Sequence, residues 1–162
     1  MRRVSILPAL LLTGCQTTAP SADLTPSAID APASVMKLVA DARDDFTPIE
    51  AEKKERDGRV YYDVEGILDD GSELEFDVLM TESGPEIVEI QRDLEWVDVP
   101  EDVRALALAA SGGAVPVRTI EGIQTDEAII YEFFADGAPS EPAVEVRVKD
   151  GEASVLEERW LH

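Results

Sequence analysis

The chain has 162 residues, 44% of them apolar, and sets 35 acidic side chains against 14 basic ones for a formal net charge of −21. That charge argues against nucleic acid and anionic lipid headgroups as partners and permits cationic proteins and divalent ions. One cysteine and one histidine leave no internal disulfide framework and no Cys/His metal set. With that histidine, His162, at the last position, Ser-His-Asp and Cys-His catalysis lack a positioned base.

Met1-Arg2-Arg3 supplies a positive start, Val4 to Leu12 an apolar run, and Thr13 and Gly14 are small residues ahead of Cys15. This is the pattern of an export signal, and the run is shorter than the roughly 20 apolar residues that a spanning helix needs. Leu12-Thr13-Gly14-Cys15 resembles the lipobox of bacterial lipoproteins. The resemblance implies cleavage before Cys15, acylation of its thiol and amino group, and attachment to a membrane through lipid on Cys15. Several acyl chains, at about 0.8 kcal/mol per buried methylene, make such an anchor nearly permanent. Gln16 rather than aspartate follows the cysteine, which by the same resemblance favours the outer membrane of a Gram-negative cell envelope, facing the periplasm. Residues 1–14 are therefore expected to be a signal peptide. Residues 15–30, with two prolines and no apolar period, are expected to be an acylated leash that extends to roughly 45 Å.

Beyond the leash the sequence repeats. Pro32 and Pro100, Val35 and Val103, Leu38 and Leu106, Pro48 and Pro116, and Ile49 and Val117 stand at one offset of 68. Val60 to Val64 matches Ile129 to Phe133 at 69, Leu74-Glu75-Phe76 matches Val144-Glu145-Val146 at 70, and Ile87-Val88-Glu89 matches Val155-Leu156-Glu157 at 68. Each copy opens on a helix, with Val35, Leu38, Val39 and Ala42 on one stripe and Val103, Leu106, Ala107 and Ala110 on the other. Gly112-Gly113 stops the second helix.

Asp57-Gly58, Asp70-Gly71, Asp136-Gly137 and Asp150-Gly151 then punctuate short alternating segments, a strong hairpin signal. The expected strands are 49–56, 59–67, 72–80 and 86–92, then 117–124, 128–135, 142–149 and 153–159. In Glu73-Leu74-Glu75-Phe76-Asp77-Val78 the apolar residues point one way and the acids the other. The expected fold is α+β, with two tandem modules over residues 31–95 and 96–162. Each is one helix packed on a four-stranded antiparallel sheet with one dry face and one wet face. Trp96 and Trp160 are expected as aromatic lids on the edges of the two cores.

The order of amphipathic helix, Tyr-Asp-Val-Glu strand, Asp-Asp-Gly turn, Glu-Leu-Glu-Phe-Asp-Val strand and Glu-Ile-Val-Glu-Ile strand resembles the PepSY-like family, related in architecture to β-lactamase-inhibitor-type modules. The likeness covers about residues 31–160 as two copies. The second departs from it in the more apolar Tyr131-Glu132-Phe133-Phe134 and in the longer loop Ala138 to Pro142. It implies a small extracytoplasmic binding or inhibitory module without catalytic residues, one that restrains a peptidase or another envelope protein.

The residues point to the wet face of the first sheet, where Tyr61, Asp63 and Glu65 should lie beside Glu73, Glu75 and Asp77. An acidic surface with an aromatic anchor suits an envelope protein as partner, a basic one by charge. The second wet face, with Ile130, Glu132 and Phe134 opposite Glu145, Arg147 and Lys149, is either a docking patch or a contact between modules. Asp69-Asp70-Gly71-Ser72-Glu73 lacks the spacing of a calcium loop and reads as a hairpin turn. The expected function is thus a lipid-anchored binding module, not an enzyme, with no cofactor, no metal and no nucleic acid. The alternatives are a structural or assembly lipoprotein of an outer-membrane complex, and a periplasmic cation- or small-ligand-binding protein.

Overall fold

The computed structural model describes residues 30–138 and 140–160. The expected signal peptide, Cys15 and all of the leash but Asp30 lie outside the described residues. Helices and strands follow in the anticipated order: α1 (Ala33–Ala42), β1 (Phe46–Arg56), β2 (Arg59–Leu68), β3 (Glu73–Thr81) and β4 (Gly84–Asp93), then a 3-10 turn (Trp96–Asp98), α2 (Glu101–Ala110), β5 (Arg118–Gln124), β6 (Ile129–Phe134), β7 (Val144–Lys149) and β8 (Glu152–Val155). Among the described residues no helix is long and apolar enough to cross a membrane.

Both helices begin behind a proline whose carbonyl is free to open the ladder, since proline fixes φ near the helical value and has no N–H to strand. Val35 and Met36 donate to the Pro32 carbonyl and Arg104 donates to that of Pro100. Glu101 and Asp102 place negative charge on the first turn of α2. Gly112 and Gly113, at φ +69° and +91°, end it, and Gly113 N–H returns to the Leu108 carbonyl at 2.7 Å. Asp57-Gly58 and Asp150-Gly151 both have positive φ at both positions. They make two-residue turns whose twist matches the strands they join.

The eight strands form one sheet, ordered β1 to β8 and antiparallel throughout. This corrects the expectation of two modules, each a helix on its own four-stranded sheet: the chain is mostly sheet, and the sheet is continuous. The joint is β4 with β5, in register from Glu89 opposite Gln124 to Asp93 opposite Ile120. A separate four-stranded meander would leave β4 with a row of unpaired N–H and C=O groups, and pairing with β5 satisfies both edges at once. Side chains reinforce the joint. Arg92 holds Glu121 at 2.6 Å, Tyr131 donates to the other Glu121 oxygen at 3.0 Å, and Arg118 pairs with Asp93 at 2.9 Å. Burial and the neighbouring Glu121 carboxylate push the Tyr131 hydroxyl well above its usual range, so it stays a donor.

Strand pairing also refines the repeat. Val64 stands opposite Phe76 as Phe133 stands opposite Val144, so β3 corresponds to β7 at an offset of 68 rather than 70. A shift of two residues leaves every side chain on the face expected of it.

One row of facing residues, Ala51, Val64, Phe76, Ile90, Ile123, Ile129, Val148 and Ala153, is apolar across all eight strands. The two helices cover this same face at its two ends. Val35 and Val39 of α1 join Phe46, Val64, Leu74, Phe76 and Val78 in one cluster, with Phe46 edge-on to Phe76 at 5.0 Å. Val103 and Ala107 of α2 join Tyr131, Phe133 and Val146 in the other, and Trp96 stands edge-on to Phe133 at 5.7 Å. Trp96 therefore caps the second core rather than closing the first. Ile123 belongs to neither cluster and remains exposed.

Candidate functional site

Among the described residues no helix covers the other face, yet its centre is buried. Tyr61, Leu79, Ile120, Ile130 and Phe134 are all buried there, so the notion of a uniformly wet face is corrected. Alternation along a strand fixes the side a residue faces and says nothing of depth. Here long side chains laid across the sheet supply depth. Arg56 lies over the Tyr61 ring at 5.1 Å and Arg118 over Phe134 at 5.6 Å.

Tyr61, only 1% exposed, is thus a core residue and cannot anchor a partner. Ile130 and Phe134 are buried parts of the one sheet, so they are neither an exposed docking patch nor a contact between separate modules. Asp70 accepts bonds from Ser72 N–H and Oγ at 2.9 and 2.6 Å, which makes residues 69–73 the hairpin turn expected of them.

The acids expected on this face do lie on it, in two adjacent rows set by register. Glu52, Asp63, Asp77, Glu89 and Gln124 face one another across β1 to β5, and beside them run Glu50, Glu65, Glu75, Gln91 and Gly122. Asp63, Asp77 and Glu89 are buried, Glu75 is half-buried, and Glu65 and Glu73 are exposed. The structure therefore divides the anticipated six: Asp63, Glu75 and Asp77 converge, each with an oxygen within 4.8 Å of the others, while Glu65 and Glu73 form an open rim.

Like charges directly opposite on paired strands repel, and a low dielectric sharpens the effect. Lys54 forms an ion pair with Asp63. Burial works against the Lys54 charge, but the Asp63 carboxylate outweighs it and holds the lysine above its usual range. Gln91 donates to Glu89 at 2.9 Å and to Asp77 at 3.3 Å, and Gln124 donates to Glu89. Burial, with Asp63 beside it, pushes Asp77 up to about 9 and Glu75 to about 7. Without a bound cation, the cluster keeps a proton at neutral pH.

Sequence reasoning missed Lys54, Glu89, Gln91, Gln124 and Gly122. Lys54 is one of few basic residues in an acidic chain, a usable signal. Glu89 becomes visible only through register, because a bulge between Asp77 and Val78 resets the pairing of β3 with β4. Gly122 has no side chain because Glu89 lies where one would be: a methyl group there would overlap Glu89 Oε1.

Next to the cluster opens a cleft of about 150 Å³, lined by Glu65, Glu73 and Glu75 of β2 and β3, Arg92 and Arg118 of β4 and β5, and Ile49 and Ile120 of β1 and β5. Both arginines are already paired within the chain, to Glu121 and Asp93. What the cleft offers a visitor is carboxylate and apolar surface. Comparison with protein-family models, with curated proteins and with solved structures finds no match to this chain.

Proposed function

We propose that this chain is a non-catalytic binding protein of the bacterial cell envelope, lipid-anchored through Cys15 on the periplasmic side of the outer membrane, and that it captures a basic segment of another envelope protein. The observation that carries this reading is the cleft beside β3. A lysine or arginine side chain lays its methylenes on apolar surface and its charge on carboxylates, and Ile49 and Ile120 line the same cleft as Glu65, Glu73 and Glu75. The charge of −21 adds long-range attraction for such a partner and raises its rate of encounter. The sequence resemblance to PepSY-like inhibitory modules points the same way by analogy alone, since the single continuous sheet departs from the two-module fold it implied.

The test is crosslinking of the full-length, lipidated protein in living cells, beside a variant carrying Glu65→Ser and Glu73→Ser. Both residues are exposed, so the fold tolerates the change. One envelope protein enriched with the natural chain and lost with the variant supports the reading. Equal capture by both removes the cleft from it, and no capture above background overturns it.

A further inference from the structure

The sheet ends on one side in β1, an 11-residue strand whose strand partner among the described residues is β2. Its outer row of N–H and C=O groups is therefore a template for a further strand. Local geometry marks out the usable part. Pro48 has no N–H to offer, and pairing with β2 slips between Pro48 and Glu50. Past Arg56 the chain turns through Asp57-Gly58. Between those limits the register is unbroken, from Glu50 opposite Glu65 to Arg56 opposite Arg59. Lys53 is the midpoint of that stretch.

Charge is sorted about the midpoint. Glu50 and Glu52 precede it, Lys54 and Arg56 follow it, and all four share the helix-free face. Glu50 and Glu52 are exposed, and Lys54 and Arg56 are half-buried. Laid antiparallel to itself, with Lys53 on a two-fold axis normal to the sheet, the stretch sets each acid against a base. Glu52 then stands opposite Lys54 of a second copy and Glu50 opposite Arg56, and the axis repeats both pairs. On the helix side Lys53 meets its own image, but each lysine carries Glu55 of its own chain at 2.7 Å. Lysines on an edge turn away a foreign strand. A second copy of this strand brings their complement.

We propose that this chain forms a two-fold dimer by antiparallel pairing of residues 50–56 of β1 with the same stretch of a second copy. Two eight-stranded sheets are thereby joined edge to edge, with the helices of both copies on one face. The opposite edge is unsuited, since β8 has four residues and Glu152 is the one charge among them. Directly opposed side chains stand about 5 Å apart, inside the Debye length of about 8 Å at physiological salt. The repulsion between two chains of net charge −21 acts over longer distances and is screened there. One strand-on-strand contact is smaller than a standard interface, so the dissociation constant is expected on the order of 10–100 µM. The dimer does not depend on what the cleft captures.

The experiment is sedimentation equilibrium of the purified full-length chain in detergent at physiological salt, over about 1 µM to 1 mM protein. A monomer–dimer equilibrium is expected. Glu50→Lys opposes a lysine to Arg56 twice in each dimer and should weaken association about tenfold or more. Arg56→Glu should do the same, and the two together, which restore opposite charges, should return association to within about threefold of the natural chain. Arg56 also lies over the Tyr61 ring, so if circular dichroism shows that Arg56→Glu loses the fold, Glu52→Lys, which opposes Lys54 at an exposed site, stands in as the second weakening variant. Under mild oxidation Lys53→Cys, on the axis, should give a disulfide-linked dimer faster than Glu152→Cys on the other edge. A monomer over the whole range overturns the proposal, as does association that Glu50→Lys or Glu52→Lys leaves unchanged. A folded double variant that fails to regain association, or equal crosslinking at positions 53 and 152, does the same.

Discussion

The two halves of the sheet place acids at matching addresses on the helix-free face and surround them differently. Asp63 opposite Asp77 in the first half corresponds to Glu132 opposite Glu145 in the second. Around the first pair stand Glu65, Glu75 and Leu79; at the corresponding positions of the second stand Phe134, Ala143 and Arg147. Glu145 receives the Trp160 backbone N–H at 2.8 Å, and Arg147 lies over the Trp160 ring at 6.0 Å. The second half thus sets an arginine, a tryptophan and a backbone donor where the first half uses Lys54 and Gln91. Since one half folds with that arrangement, the three-carboxylate cluster of the other, held by Lys54, Gln91 and a retained proton, is a second solution on the same scaffold.

The strongest way to break the comparison is through the cores. Phe76 is fully buried against α1 and Phe46, so Phe76→Ala should cost about 3–5 kcal/mol. The counterpart Val144→Ala, at a half-buried position, should cost about 1–2 kcal/mol. Because β4 and β5 join the halves, both variants should shift one unfolding transition in chemical denaturation. Two separated transitions would show that the halves unfold independently.

Next in size is Gly122→Ala. Its methyl would displace the Glu89 carboxylate from β5 and disturb the bonds to Gln91 and Gln124. A loss of about 1–3 kcal/mol is expected, measured by urea midpoint at constant slope. The equivalent position in the first half holds Lys54, whose removal by Lys54→Gln leaves no such overlap.

Protonation sharpens the contrast further. The folded state holds Asp77 at about 9 and Glu75 at about 7, while an unfolded carboxyl titrates near 4. Between those limits the folded chain binds more protons than the unfolded one. The stability these groups contribute is full below about pH 4 and is lost as pH rises through the folded values, at a limiting slope of about 1.4 kcal/mol per pH unit for each proton. Asp77→Asn should flatten stability against pH between about 5 and 9, measured by urea midpoint across that range. An unchanged slope would remove Asp77 as the proton's holder.

The smallest effect expected is at the joint itself. Arg118 and Asp93 are each about half exposed, so Arg118→Ala should cost no more than about 1 kcal/mol through the ion pair. Any larger loss would come from uncovering Phe134, over which Arg118 lies.

Most of the secondary structure was legible because it is written locally. The stripe of Val35 and Val39, its echo in Val103 and Ala107, the Asp-Gly turns and the alternation from Glu73 to Val78 each need only a few neighbours. The single sheet was not legible. Nothing in Glu89 to Asp93 announces that Ile120 to Gln124, beyond a helix, will pair with it, and a repeat of 68 residues suggests separable units as readily as fused ones. The candidate site was legible by face and illegible by depth. Period two put Tyr61, Asp63 and Asp77 on the helix-free side, but burial there depends on side chains from neighbouring strands, such as Arg56 over Tyr61 and Lys54 on Asp63.

The strand order β1 to β8 is also the order of synthesis. Each strand pairs first with the strand made just before it, and the longest detour, between β4 and β5, is bridged by α2. Loop-closure entropy is therefore spent in small instalments, and contacts stay close in sequence for so sheet-rich a chain. A polypeptide threaded N-terminus first into a new compartment could zip this sheet as it arrives, each new strand covering the sticky edge of the last. Only β1 on one side and the four-residue β8 on the other remain as edges when it is done.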